Sequence, residues 1–214
     1  MLTDLSATRS IVFDLDGTLY VNENIARAIS QAAEQLIAES RGIGVAEART
    51  MIERAQQRLG ENQDEPPTLT RTCMELGIAL PEFHAALQGR VHPERYLDHD
   101  PVLFALLDSL REYCDLYIYT NNNLPLAHKI LALLGVQSLF DRVYTIEFTR
   151  APKPDREAFV KVLESIGGPP ESFLFVGDRR HVDLQPAEEY GIPTLLVREA
   201  ADLLQIHKLL GLVP

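Results

Sequence analysis

The chain is poor in cysteine: its 214 residues hold two, Cys73 and Cys114, far apart and in no metal-ligand spacing. That argues against a disulfide framework or a cysteine zinc site, and it fits a reducing cytoplasm, the expected location. No run reaches the roughly 18 apolar residues of a membrane span. The N-terminus lacks a signal-peptide pattern, so export is not expected either. Repeats and low-complexity tracts are absent. Positive charge is scarce, with 20 Lys and Arg against 31 Asp and Glu and a formal net charge of -11. This balance disfavours a nucleic acid polymer or an anionic membrane as partner. A small anionic substrate stays open, because a local cation can reverse the field inside one cleft. Hydrophobic residues make up 46% and charged residues 24%, the profile of a soluble globular protein. The length allows one domain with a large core, or one domain carrying a second.

The most informative stretch is Ile11-Val12-Phe13-Asp14-Leu15-Asp16-Gly17-Thr18. A short apolar, β-branched run reads as a buried parallel strand. It ends in two acids, at the edge where open α/β sheets bind ligands. Side chains at i and i+2 of an extended segment point the same way, so Asp14 and Asp16 can share a site. Two like charges that close repel, and one pKa rises unless a cation intervenes. The pair suits a nucleophile and a general acid beside a metal. Asp-Gly is also common turn punctuation, and Asp and Thr often cap helices, so a plain turn is the rival reading.

Three parts follow from the periodicities. The first is the strand at 10–15. The second, 22–98, is helical, with Ile25, Ala28, Ile29, Ala32, Ala33, Leu36 and Ile37 on one stripe and Ala48, Ile52, Ala55 and Leu59 on another. A breaker from Gly60 to Pro67 separates these from two shorter helices over 68–76 and 81–89, closed by Gly77 and Gly89. The third part alternates: a helix from Asp100-Pro101 to about Tyr113, strand 116–120, helix 125–134, strand 142–146, helix 155–166, strand 172–177, helix 184–190, strand 194–197 and a last helix after 199. Such alternation predicts an α/β fold, a parallel Rossmann-like sheet with helices on both faces. The helical span interrupts it after the first strand and is placed to act as a lid. The expected domains are a core of 1–20 and 99–214 and a helical cap of 21–98.

Further polar groups fall at the same edge. Thr120 ends the second strand, where its hydroxyl could meet a phosphate oxygen beside the backbone N–H groups of the next helix, with Asn121 alongside. An ordinary helix start explains the same residues. Lys153 sits between two prolines that limit where it points, and an ammonium suits phosphate, although most lysines are simply solvated. Asp178 ends an apolar strand as Asp14 does. Asp183 follows five residues later, where it is also expected to cap a helix. Asp14, Asp16, Asp178 and Asp183 converge if their strands are neighbours, and such a cluster costs several kcal/mol unless a cation binds. All-oxygen ligands favour Mg²⁺.

Taken in order, Asp14-Leu15-Asp16-Gly17-Thr18, Thr120, Lys153 and Gly177-Asp178 with Asp183 resemble the four motifs of the haloacid dehalogenase-like hydrolase superfamily. The resemblance covers nearly the whole chain, with 22–98 in the place of that superfamily's cap. It implies a sheet ordered 5-4-1-2-3, which puts the first and fourth strands side by side. It implies that Asp14 attacks phosphorus and that Asp16 protonates the leaving oxygen and then activates water. Mg²⁺ would bind the Asp14 carboxylate, the Asp16 backbone carbonyl and Asp178, with Asp183 in support. Thr120, Asn121 and Lys153 would hold the phosphoryl group. The acid at position 16 argues for phosphoryl chemistry, since the dehalogenases that resemble this chain lack it. The metal-transporting ATPases that share the motif are excluded by the lack of membrane spans.

One departure is Arg179-Arg180 after Asp178, where many relatives have a small residue, together with the lack of an acid just before Asp183. At least one of these arginines is expected to face solvent. Arg49, Arg54, Arg58, Arg71 and His84 are candidates to face the cleft from the helical span. Thr18-Leu19-Tyr20 and Thr120-Asn121-Asn122-Asn123 look like the pyrimidine 5′-nucleotidase branch and also suit phosphoglycolate-type phosphatases. The expected activity is Mg²⁺-dependent hydrolysis of a small phosphorylated metabolite by a monomer or homodimer. A phosphomutase of the same fold, or a non-catalytic phosphate-binding regulator, is the alternative.

Overall fold

In the computed structural model, which describes residues 5–61 and 65–212, the strand leading to Asp14 is the centre of the sheet. β1 (Ser10–Phe13) is buried along its length, and Ile11, Val12 and Phe13 are almost wholly removed from water. The other strands are β2 (Asp115–Tyr119), β3 (Arg142–Tyr144), β4 (Phe173–Gly177) and β5 (Thr194–Leu196). All pair in parallel in the order β3-β2-β1-β4-β5, which is 5-4-1-2-3 read from the other edge. Phe13 stands opposite Ile118 on one side and Val176 on the other. A strand paired on both edges and covered on both faces must be apolar throughout, which is why β1 and β4 read as continuous apolar runs.

The chain divides into two compact units, Met1–Val21 with Leu97–Pro214, and Asn22–Tyr96. The second unit consists of α1 (Glu23–Arg41), α2 (Val45–Gly60), α3 (Leu69–Glu75) and α4 (Leu80–Arg90). Asn22 caps α1 by accepting the Asn24 and Ile25 N–H groups, and Gly42 ends it in the left-handed region. The stripe of Ile25, Ala32, Ala33 and Ile37 is buried, as are Ala48, Ile52 and Ala55 of α2, which packs on α1. Gly77 follows α3 as expected, but Gly89 does not close a helix: α4 continues to Arg90 and gives way at Val91. A single glycine costs a helix about 1 kcal/mol, and the buried Phe83 and Leu87 outweigh that. Of the breaker, residues 62–64 lie outside the described residues.

In the first unit the sheet is flanked by α5 (Pro101–Arg111), α6 (Leu124–Leu134), α7 (Ile146–Thr149), α8 (Arg156–Ile166), α9 (Gln185–Glu189) and α10 (Gln205–Leu209). Tyr144, Phe159, Phe173 and Phe175 form the aromatic part of its core. Three elements differ from the periodicity reading. β3 stops at Tyr144, and Ile146 begins α7, whose four residues are too few to show a period. α9 is preceded by a π-helical turn over Arg180–Leu184. The last helix divides into a 3₁₀ stretch, Ala200–Leu204, and α10. No helix among the described residues is long and apolar enough to cross a membrane.

Candidate active site

β1 ends at Phe13, and the Asp14 N–H still bonds the Val176 carbonyl at 2.9 Å, so Asp14 leaves the sheet beside β4. The next residues fold tightly: the Gly17 N–H reaches the Tyr20 carbonyl at 2.9 Å and Leu19 N–H the Leu15 carbonyl at 3.1 Å. Gly17 has φ +90°, and a Cβ there would stand 2.4 Å from Asp178 Oδ2. Only glycine permits both that conformation and that approach. Gly177 serves the other side, since its Cβ would lie 2.4 Å from Asp183 Cβ. Both motif glycines therefore let backbone lie against an acid.

Lys153 is the hub. Its ammonium donates to Asp14 Oδ1 at 2.6 Å, to Asp183 Oδ1 at 2.6 Å and to the Tyr119 carbonyl at the end of β2 at 2.9 Å, and the residue is 3% exposed. Asn121 sets its backbone: Oδ1 accepts the Lys153 N–H at 2.7 Å and Nδ2 donates to the Lys153 carbonyl at 3.4 Å. Asn121, expected among the phosphate-holding groups, is thus placed as a brace for Lys153. Asp155 caps α8 just beyond by accepting the Ala158 N–H. Thr120 is buried, and its Oγ1 accepts the Asn122 N–H at 3.1 Å. An oxygen that accepts there keeps its own O–H to donate.

Asp14, Asp178 and Asp183 each present a carboxylate oxygen within 4.8 Å of the others. Asp183 does not cap α9. It sits inside the π-helical turn, and its Oδ2 accepts the Arg179 N–H at 3.0 Å. The turn, rather than a helix start, aims its carboxylate at Lys153. Asp178 Oδ1 is buried and accepts no hydrogen bond among the described residues. Such an oxygen is costly to keep. Three carboxylates against one ammonium leave two negative charges in a buried space. The residues present therefore fit a small divalent cation with oxygen ligands, and Mg²⁺ is the natural choice.

Asp16 is set apart. Its carboxylate does not join that cluster: Oδ1 accepts the Tyr20 hydroxyl and Oδ2 accepts Asn122 Nδ2 at 2.5 Å. Burial pushes the Asp14 carboxyl well above the usual range, with Lys153 opposing and the other acids adding. Burial raises Asp16 too, against the Tyr20 hydrogen bond. Asp178 is pushed up to about 6, first by burial and then by Asp183. Burial disfavours the Lys153 charge, but Asp14 and Asp183 outweigh it and hold the ammonium above its ordinary value. Two carboxylates two residues apart thus sit in different surroundings, Asp14 against Lys153 and Asp16 between Tyr20 and Asn122.

Of the other candidates, Arg180 is exposed as expected and reaches Glu188 at 3.2 Å. Arg49 is taken by Glu34, with both contacts 2.9 Å, and His84 is buried against Phe83. Sequence reasoning missed Asn122 as a partner of Asp16. Its contact spans 106 residues and carries no local signal.

A parallel sheet in this order, with acids at the ends of β1 and β4 and a lysine between them, defines a class of hydrolases. The model of the haloacid dehalogenase-like hydrolases matches residues 8–191, and the chain belongs to that family. It is 30% identical over 205 residues to the phosphoglycolate phosphatase of Pectobacterium atrosepticum, covering 89% of this chain and 80% of that one. It is 24% identical over 197 residues to the glyceraldehyde 3-phosphate phosphatase of Methanopyrus kandleri, covering 89% and 84%. The fold is that of the HAD phosphatase of Thermococcus onnurineus, with a TM-score of 0.62, 22% identity, and 95% and 98% of the two chains covered.

Proposed function

We propose that this chain is a Mg²⁺-dependent phosphatase that hydrolyses a small phosphate monoester through an aspartyl phosphate on Asp14. The observation that carries this reading is Lys153 between Asp14 and Asp183, with Asp178 Oδ1 left unbonded beside them. Asp14, Asp178 and Asp183 would hold the cation, which when bound would offset the carboxylate charge that Lys153 does not. In the first half, an Asp14 oxygen attacks phosphorus, the ester P–O bond breaks, and the leaving oxygen takes the proton of Asp16. In the second half, Asp16, now a carboxylate, takes a proton from water as the water oxygen attacks phosphorus. The Asp14–phosphorus bond breaks, inorganic phosphate leaves, and the acid is restored. Lys153 offsets charge on the transferring group, and the Thr120 hydroxyl donates to one of its oxygens.

Relatives named for phosphoglycolate and glyceraldehyde 3-phosphate support a phosphorylated metabolite of two or three carbons as substrate, ahead of a nucleoside monophosphate. Residues 21–98, inserted after the first motif, are assigned to substrate selection. Cys73 and Cys114 are both free and buried, in keeping with an enzyme of the cytoplasm. A phosphate-release screen over phosphorylated metabolites, with Mg²⁺ and with chelator, tests the reading. Release is expected with Mg²⁺ alone. Stoichiometric return of phosphate to a sugar would instead make the chain a mutase, and no release from any ester would overturn hydrolysis.

A further inference from the structure

Both oxygens of the Asp16 carboxylate are taken by donors outside the cation cluster. The Tyr20 hydroxyl donates to Oδ1, and Asn122 Nδ2 donates to Oδ2 at 2.5 Å. We infer that Tyr20 and Asn122 form a two-sided clamp that fixes the aim of Asp16 toward the leaving oxygen, making them positioning residues for proton transfer. The inference rests on the reading of Asp16 as the general acid.

Each arm is itself held. Tyr20 is 7% exposed, and the tight turn after β1 returns it under Asp16: its carbonyl accepts the Gly17 N–H, and a backbone bridge pairs residues 16 and 20. Asn122 is 6% exposed. Its N–H goes to Thr120 Oγ1, and its carbonyl accepts the Ile146 N–H at 3.2 Å, so Thr120, just past β2, and the first residue of α7 both anchor it. A carboxylate on a short side chain has two torsions to fix. Two donors on opposite oxygens, each on a backbone tied by its own hydrogen bonds, fix both. Neither side chain makes a hydrogen bond to Asp14 among the described residues, and each donates to Asp16. The clamp also separates duties: Lys153 serves Asp14 and Asp183, while Tyr20 and Asn122 serve Asp16.

Leaving groups distinguish aim from general damage. Protonation matters most when the departing oxygen is basic, so loss of aim falls harder on phenyl phosphate than on 4-nitrophenyl phosphate, an ester of similar shape. Tyr20→Phe and Asn122→Ala are to be assayed on both esters with Mg²⁺, beside Asp16→Asn. The expected result for each clamp variant is a kcat about tenfold lower on phenyl phosphate and less than about threefold lower on 4-nitrophenyl phosphate, with KM nearly unchanged. Asp16→Asn should show the same bias, larger. If Asp16→Asn is biased while Tyr20→Phe and Asn122→Ala lose activity equally on both esters or not at all, the clamp is wrong and the general acid stands. If Asp16→Asn is itself unbiased, the general-acid reading fails and the clamp with it. Tyr20→Phe keeps the ring volume, and either variant alone decides the matter should the other fail to fold.

Discussion

Lys153 does two things that a single substitution separates. It offsets the charge of two buried acids, Asp14 and Asp183, and in the proposed reaction it steadies the phosphoryl group. Lys153→Met leaves Asp14 and Asp183 buried without their partner, which costs about 3–5 kcal/mol. The denaturant midpoint should fall accordingly in chelator and recover in part with Mg²⁺. Activity should stay down by about 10²–10³ under either condition, because a fixed charge on the transferring group is lost. Gly177→Ala asks a different question of the same place. A Cβ 2.4 Å from Asp183 Cβ must displace that side chain. Mg²⁺ affinity should weaken about 10–100-fold, the usual effect of misplacing a supporting carboxylate, and titration calorimetry measures it.

Elements deliver these residues to one edge, and some of the delivery was legible. β1 and β4 announce themselves as apolar runs ending in acids, because strands buried on both faces have no polar positions to hide. Lys153 stood out through its prolines, although its contacts to Asp14 and Asp183 could come only from the folded sheet. Asp183 was expected to cap a helix, since an acid before a helical run usually does. A π turn changes where it points, and no residue pattern marks such a turn. Tyr20 was visible as part of the first motif, but its hydrogen bond to Asp16 depends on a turn drawn back on itself. α7 was missed for its brevity, yet it carries Glu147, whose carboxylate accepts the Leu124 N–H at 3.1 Å and the Thr145 hydroxyl at 2.6 Å. That anion satisfies the N-terminus of α6, the helix that follows Thr120–Asn123. Glu147→Ala should cost about 1 kcal/mol, read as a lowered melting temperature that added Mg²⁺ does not restore.

The whole molecule stores a conflict that a cation resolves. Burial and Asp183 push the Asp178 carboxyl up from its ordinary 3.8 to about 6, and burial shifts Asp14 and Asp16 in the same direction. A folded pKa above the unfolded one means that the folded chain holds the extra proton. For Asp178 the associated stability is fully present below about pH 4 and is lost as pH rises through about 6. Cation binding replaces that proton and reverses the loss. The gain in melting temperature from Mg²⁺ over chelator should therefore be small at about pH 5 and large at about pH 7.5. A gain independent of pH would separate the bound cation from these acids. In the proposed reaction Asp14, Asp16, Thr120, Lys153, Asp178 and Asp183 do the chemistry, and all six lie in the first unit. Substitutions at Arg54, Arg58 or Arg71 should therefore move KM among substrates and leave kcat on 4-nitrophenyl phosphate within about threefold.

The central claim is a covalent bond between Asp14 and phosphorus, and acid quenching tests it directly. Wild-type protein mixed with a ³²P-labelled monoester and Mg²⁺, then stopped in acid, should retain label on the peptide that contains Asp14. Hydroxylamine, which cleaves acyl phosphates, should release it. Asp14→Asn should carry no label and release no phosphate. Phosphate released by Asp14→Asn at the wild-type rate would contradict the account.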